Sequence, residues 1–141
     1  MKVFVISDIH GCLDSANIID EAFKFHNCDI VLCLGDILYH GPRNDLPANH
    51  NPKQVIPILN KYKNKIIAIR GNCDSEVDQM VLEFPMLSNE NIFYLGNRKV
   101  FASHGHIYGP SNLPSLNEND VFIFGHVHLP IAKKENDYFI L

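Results

Sequence analysis

Five short apolar runs, each ending in a small polar block that contains glycine, constrain this chain more than any other feature. Val3–Ile6 leads into Ser7-Asp8-Ile9-His10-Gly11, and Ile30–Leu34 into Gly35-Asp36. Ile66–Ile69 precedes Gly71-Asn72-Cys73-Asp74, Val100–Ala102 precedes Ser103-His104-Gly105-His106, and Val121–Phe124 precedes Gly125-His126-Val127-His128. Near-continuous runs of Val, Ile and Leu suit strands covered on both faces. Ligands of open α/β sheets gather beyond the carboxyl ends of the strands, so the five blocks are expected to converge.

Helical spacing fills the gaps between the first three runs. Ala16, Ile19, Ala22, Phe23 and His26 mark one helix, with Asp14 or Ser15 as its expected cap. Val55, Ile58, Leu59 and Tyr62 mark a second, and Pro57 predicts that it starts later than Pro52. Strand–helix–strand–helix–strand implies right-handed crossovers and a parallel sheet at least through Ile69. Beyond residue 85 the helical signal fades into strands and loops. The segment Asp74–Met80 reads as a capped helical turn with a solvated face, and residues 40–52 form a long polar loop suited to shaping a site. At 141 residues the expectation is one domain with one sizeable core.

Composition narrows the functional classes. A net charge of -4 with no basic stripe gives no general attraction to nucleic acid. No apolar run approaches the ~18 residues that cross a bilayer. The four cysteines form no CxxC pair and read as free thiols of a reducing compartment, so a cytoplasmic location is expected. The apolar run Tyr138–Leu141 at the end of the chain reads as strand, and such an edge favours self-association into a homo-oligomer.

The converging blocks supply two aspartates, one asparagine and four histidines. Carboxylate oxygen and imidazole nitrogen suit borderline divalent ions such as manganese, iron, zinc, cobalt or nickel. One ion would leave the set overfull, whereas two ions sharing a carboxylate use it and form a clamp for in-line displacement at phosphorus.

The blocks DIHG, GD, GNCD, HGH and GHVH, in this order from Lys2 to about Ala132, resemble the calcineurin-like metallophosphoesterase family, and within it the small bacterial phosphodiesterases. The resemblance implies an α/β fold, a four-layer α/β/β/α sandwich that is here C-terminally shortened. It implies that Asp8, His10 and His128 hold one divalent ion and that Asp36 bridges to a second, held also by Asn72, His104 and His126. It further implies manganese as the first choice of ion and hydrolysis of small phosphate diesters by metal-activated hydroxide. Many family phosphatases carry histidine where this chain has Cys73, so a leaving group needing little protonation, or a donor elsewhere, is expected; His106 and His40 are the candidates. His40 stands where many members place arginine, and Arg43 nearby can orient a phosphate oxygen. Two rivals remain at this level: a phosphomonoesterase with the same site, and a non-catalytic scaffold built on the same fold.

Overall fold

The computed structural model describes residues 1–141 as two packed sheets. The first sheet contains β1 (Val3–Ile6), β2 (Ile30–Cys33) and β3 (Ile66–Ala68), all parallel and in that order. Helices α1 (Leu13–Phe25) and α2 (Pro52–Asn60) cross over between them. Register aligns the strand ends, with Ile6 opposite Cys33 and Cys33 opposite Ala68, so the polar blocks that follow emerge at one level. The second sheet has the order β4 (Glu90–Leu95), β5 (Arg98–Ser103), β6 (Val121–Ile123), β8 (Tyr138–Ile140), β7 (Lys133–Glu135). The pairs β5–β6 and β6–β8 are parallel, whereas β4–β5 and β7–β8 are antiparallel hairpins.

Strand alternation divides the core. Val31 and Cys33 face the helices, joining Ala16, Phe23 and Leu59. Leu32 and Leu34 face the other way and pack with Ile69 against Val100, Ala102, Val121 and Ile123 of the second sheet. Phe101, Phe122, Phe124 and Ile140 line the outer face of that sheet. Tyr108, Leu113 and Leu116 cover them, so the fourth layer of the sandwich is a loop here, without a helix.

Both expected helix starts are corrected. The first helix begins at Leu13 with Cys12 as N-cap, ahead of Asp14 and Ser15. The second begins at Pro52, capped by the Asn51 side chain, which accepts from the Gln54 N–H at 3.3 Å. Pro52 stands at the first helical position, where its missing N–H costs nothing. Pro57 lies inside the helix on its exposed side, so water can satisfy the carbonyl left without a donor. The short helix α3 (Glu76–Gln79) carries the expected cap, with the Ser75 N–H and hydroxyl both donating to Asp78. Its neighbour Asp74 is not part of a solvated face, being only 4% exposed. No helix is long and apolar enough to cross a membrane.

Candidate metal centre

The chain turns sharply as it leaves β1, β2 and β6, and those turns are strained. Positive φ occurs at four asparagines, Asn27, Asn49, Asn119 and Asn136, the residue type that enters this region most readily after glycine. It occurs elsewhere only at Asp8 (53°), His10 (49°), Asp36 (55°), His126 (68°) and His128 (54°), glycine aside. Each such residue costs on the order of 1 kcal/mol and persists only where its surroundings impose it. All five are candidate ligands, and they are neighbours.

Loop pairing imposes that geometry. The N–H groups of Asp8, His10 and Gly11 donate to the carbonyls of Gly35, Asp36 and Ile37, continuing the β1–β2 register beyond the strands. Asp74 holds the next block. Its Oδ2 accepts from the N–H groups of Asp36 and Gly71 and its Oδ1 from Ile37, each at 2.8 Å. Gly71 is required here, because a Cβ would overlap the Asp36 carboxylate. Across the site, Asp8 Oδ2 accepts from the Ser7 hydroxyl (2.5 Å) and the His126 N–H (2.9 Å), tying the first strand's loop to the last.

These constraints leave the remaining polar atoms facing one another. Ligand atoms of Asp8, His10 and His128 lie within 4.8 Å of each other, as do those of Asp36, His104 and His126. Asp36 Oδ2 stands between the two groups, 3.7 Å from His10 Nε2 and 3.3 Å from His104 Nε2. His128 Nε2 is 3.1 Å from Asp8 Oδ1, and Asn72 Oδ1 is 3.0 Å from His104 Nε2. Two atoms each bound at ~2.1 Å to a common ion stand roughly 3.0–3.5 Å apart, so this spacing fits shared cations. The tautomers fit as well. Nδ1 of His10 donates to the Tyr39 carbonyl at 2.8 Å and Nδ1 of His104 to that of Leu34 at 2.7 Å, turning both Nε2 lone pairs into the site. His10 Nε2 is buried with no hydrogen-bond partner, a cost that a bound cation would remove.

Electrostatics agree with an acceptor-rich site. Burial pushes the Asp8 carboxyl up, but His10, Ser7 and the His126 N–H outweigh it and hold the group well below the carboxylate range. Asp36 is lowered likewise, burial being overcome by His104 and the Cys73 N–H. The Asp8 carboxylate raises His10 to about 9 against the effect of burial. His106 and His126 are lowered, first by burial and then by the charge of His104.

A cavity of about 370 Å³ opens over the cluster, lined by His10, Asp36, Asn72, His126 and His128 together with Arg43 and Asn44. The structure thus gathers Asp8, His10, Asp36, Asn72, His104, His126 and His128 at one place and brings Arg43 to face them. The Cys73 thiol lies within 4.8 Å of the His10 and Asp36 ligand atoms. His106 is exposed beside the rings of His104 and His126, with centroids 5.3 and 6.2 Å away. His40 stands apart, its ring set edge-on against Tyr39 and His50, and it does not line the cavity. Asp74 and Ser7, which stand within the strand-end blocks but carry no expected role there, and Asn44, outside the motifs, also neighbour the cluster. Asn44 was within reach through its place beside Arg43; the role of Asp74 has no local signal.

Residues 1–141 match the calcineurin-like phosphoesterase superfamily domain. The chain is 46% identical over 139 residues to the phosphodiesterase YfcE of Escherichia coli K12, covering 99% of this chain and 76% of that protein. The structure of E. coli YfcE, described as a phosphoesterase, superposes with a TM-score of 0.97 over 99% of this chain and 77% of the other. An archaeal phosphodiesterase structure, 23% identical with a TM-score of 0.66, shares the fold, covering 100% of this chain and 82% of that one. With this fold, strand-end cluster and likeness along its whole described length, the chain belongs to the calcineurin-like phosphoesterase superfamily.

Proposed function

We propose that this protein is a phosphodiesterase that holds two divalent cations, manganese being the first candidate, and hydrolyses small phosphate diesters. The carrying observation is the pair of nitrogen and oxygen clusters, Asp8–His10–His128 and Asp36–His104–His126, with Asp36 Oδ2 3.7 Å from His10 Nε2, beneath a cavity faced by Arg43. Asp8, His10 and His128 would hold one cation, Asp36 would bridge, and Asn72, His104 and His126 would hold the other. Bound there, two cations supply positive charge to a phosphoryl group and make water acidic enough to attack phosphorus at neutral pH.

The chain's own residues bind and orient. Arg43, which forms no ion pair within the chain, offers planar donors to a non-bridging phosphoryl oxygen. Cys73 takes little part in proton transfer, because burial and the nearby Asp36 carboxylate raise its thiol to about 12. His106, held below its ordinary value, is mainly neutral at pH 7 and is a weak donor. Neither protonates a leaving oxygen well, which favours diesters whose departing arm is a stable aryl oxide.

The test is hydrolysis of bis(p-nitrophenyl) phosphate against p-nitrophenyl phosphate in manganese, with and without chelator. Diester turnover that vanishes with chelator is expected; no turnover by folded, manganese-loaded protein would reject the reading. Cys73→His places a better acid beside the site and is expected to raise monoester turnover relative to diester by roughly tenfold or more. An unchanged ratio would remove Cys73 from the account of selectivity.

Cation uptake should also depend on pH. His10, raised to about 9, carries a proton at pH 7 and must lose it before its Nε2 can coordinate. Affinity is therefore expected to rise with pH, by at least about tenfold per unit near neutrality. Calorimetric titration of manganese in buffers of different ionisation enthalpy should register net proton release at pH 7, from His10 and from His104, which is also raised. A pH-independent affinity between 6 and 8 would contradict this.

A further inference from the structure

A second cavity of about 370 Å³ adjoins the one over the cluster, and the two share Arg43, Asn44 and Asn72. Tyr39, Gly41, Pro42 and Cys73 complete its lining. We propose that this cavity is the subsite for one ester arm of the substrate, and that Tyr39 makes it selective for a planar aromatic arm; this rests on the phosphodiester reading above.

Several features of the wall fit that occupant. The Tyr39 backbone is fixed to the reaction site, since its carbonyl accepts from His10 Nδ1 at 2.8 Å. Its ring is 45% exposed and set edge-on against His40, with centroids 4.9 Å apart. A ring so placed is held without being covered, and an exposed aromatic ring with two torsions loses little entropy when another ring packs on it. Gly41, at φ 78°, lets the loop come down on Cys73: a Cβ there would stand 3.0 Å from the thiol sulfur. Asn44 donates to the His40 carbonyl at 3.1 Å, bracing the same turn.

Position decides the choice of occupant. An arm entering from a phosphoryl group beneath Arg43 passes Asn44 and Asn72 directly into this space. A third cavity, beside Leu129, shares only His128 with the first. A monoester has no second arm to place, so a filled subsite here also separates diesters from monoesters by binding.

Methyl(phenyl)phosphinate and dimethylphosphinate test this directly. Both are two-armed tetrahedral monoanions with no ester bond to hydrolyse, so calorimetric titration of the manganese-loaded protein reads binding alone. The unaltered protein is expected to prefer the phenyl compound by roughly tenfold, and Tyr39→Ala to reduce that ratio to about twofold. Tyr39→Phe should keep the preference, because the ring face and not the hydroxyl carries it. A preference absent from the unaltered protein, or one that survives Tyr39→Ala, overturns the subsite and leaves the phosphodiester reading standing. Failure of both phosphinates to bind cation-loaded protein overturns the two together.

Discussion

Asp36→Asn is expected to lower kcat/KM for a phosphate diester by about a thousandfold, ~4 kcal/mol of transition-state stabilisation, while the protein stays folded. The substitution is nearly isosteric, and Asp36 Oδ1 has only to keep accepting the Cys73 N–H, now at 2.8 Å. What goes is the charge on Oδ2, the atom between His10 Nε2 and His104 Nε2. An amide nitrogen turned into that position cannot coordinate, and an amide oxygen there is a weaker, uncharged donor. If Asp36 bridges as proposed, both cations would lose a common ligand at once, so cation stoichiometry should fall together with rate. The measurements are diester hydrolysis across a manganese series, metal content after desalting, and thermal unfolding as the control. Activity within tenfold of the unaltered protein would remove Asp36 from the bridging position. Activity restored by high manganese would place its role in affinity alone.

The parts of this molecule legible in the sequence are those written locally. Each strand of the first sheet is a run of apolar residues, β2 largely buried and β1 and β3 partly so, with Val5 exposed, and each is followed by its polar block, so strand, crossover and strand end could all be read from periodicity. The strand β4 was not singled out. Residues 90–95 alternate between exposed and half-buried, with Ile92 and Tyr94 facing out, and this blurs the apolar pattern. The start of α2 was misplaced because a proline was read as a boundary, although on an exposed helical face its cost is met by water. The convergence of the polar blocks was legible because carboxylates, imidazoles or an asparagine directly follow β1, β2, β3, β5 and β6. His40 was not, since its packing against Tyr39 and His50 depends on how residues 40–51 fold back. The Asn51 N–H donates to Gly11, and the Leu13 N–H to Asn49, pairings between segments nearly forty residues apart that no spacing rule reveals.

Asp74 is the clearest such case, and it carries the second large effect. Asp74→Asn is expected to destabilise the protein by about 3 kcal/mol and to cut activity roughly a hundredfold without replacing any candidate ligand. The three backbone N–H groups that face the carboxylate are all donors. A carboxylate accepts all three; an asparagine must set its own NH₂ against at least one of them. Turned one way it opposes the Ile37 N–H, and turned the other it opposes those of Asp36 and Gly71. Each orientation loses a charge-assisted bond and leaves donors unpaired in a site that is 4% exposed. The rate should fall because the same bonds fix Asp36, and through Gly71 its neighbour Asn72, relative to one another. A change in melting temperature of about 10 °C is the stability readout for a chain of this size. The discriminating comparison is made well below the lowered midpoint, where the variant is folded. If its activity there equals that of the unaltered protein, Asp74 serves the fold alone; a lower kcat with near-normal manganese content shows that it positions the two loops for the reaction.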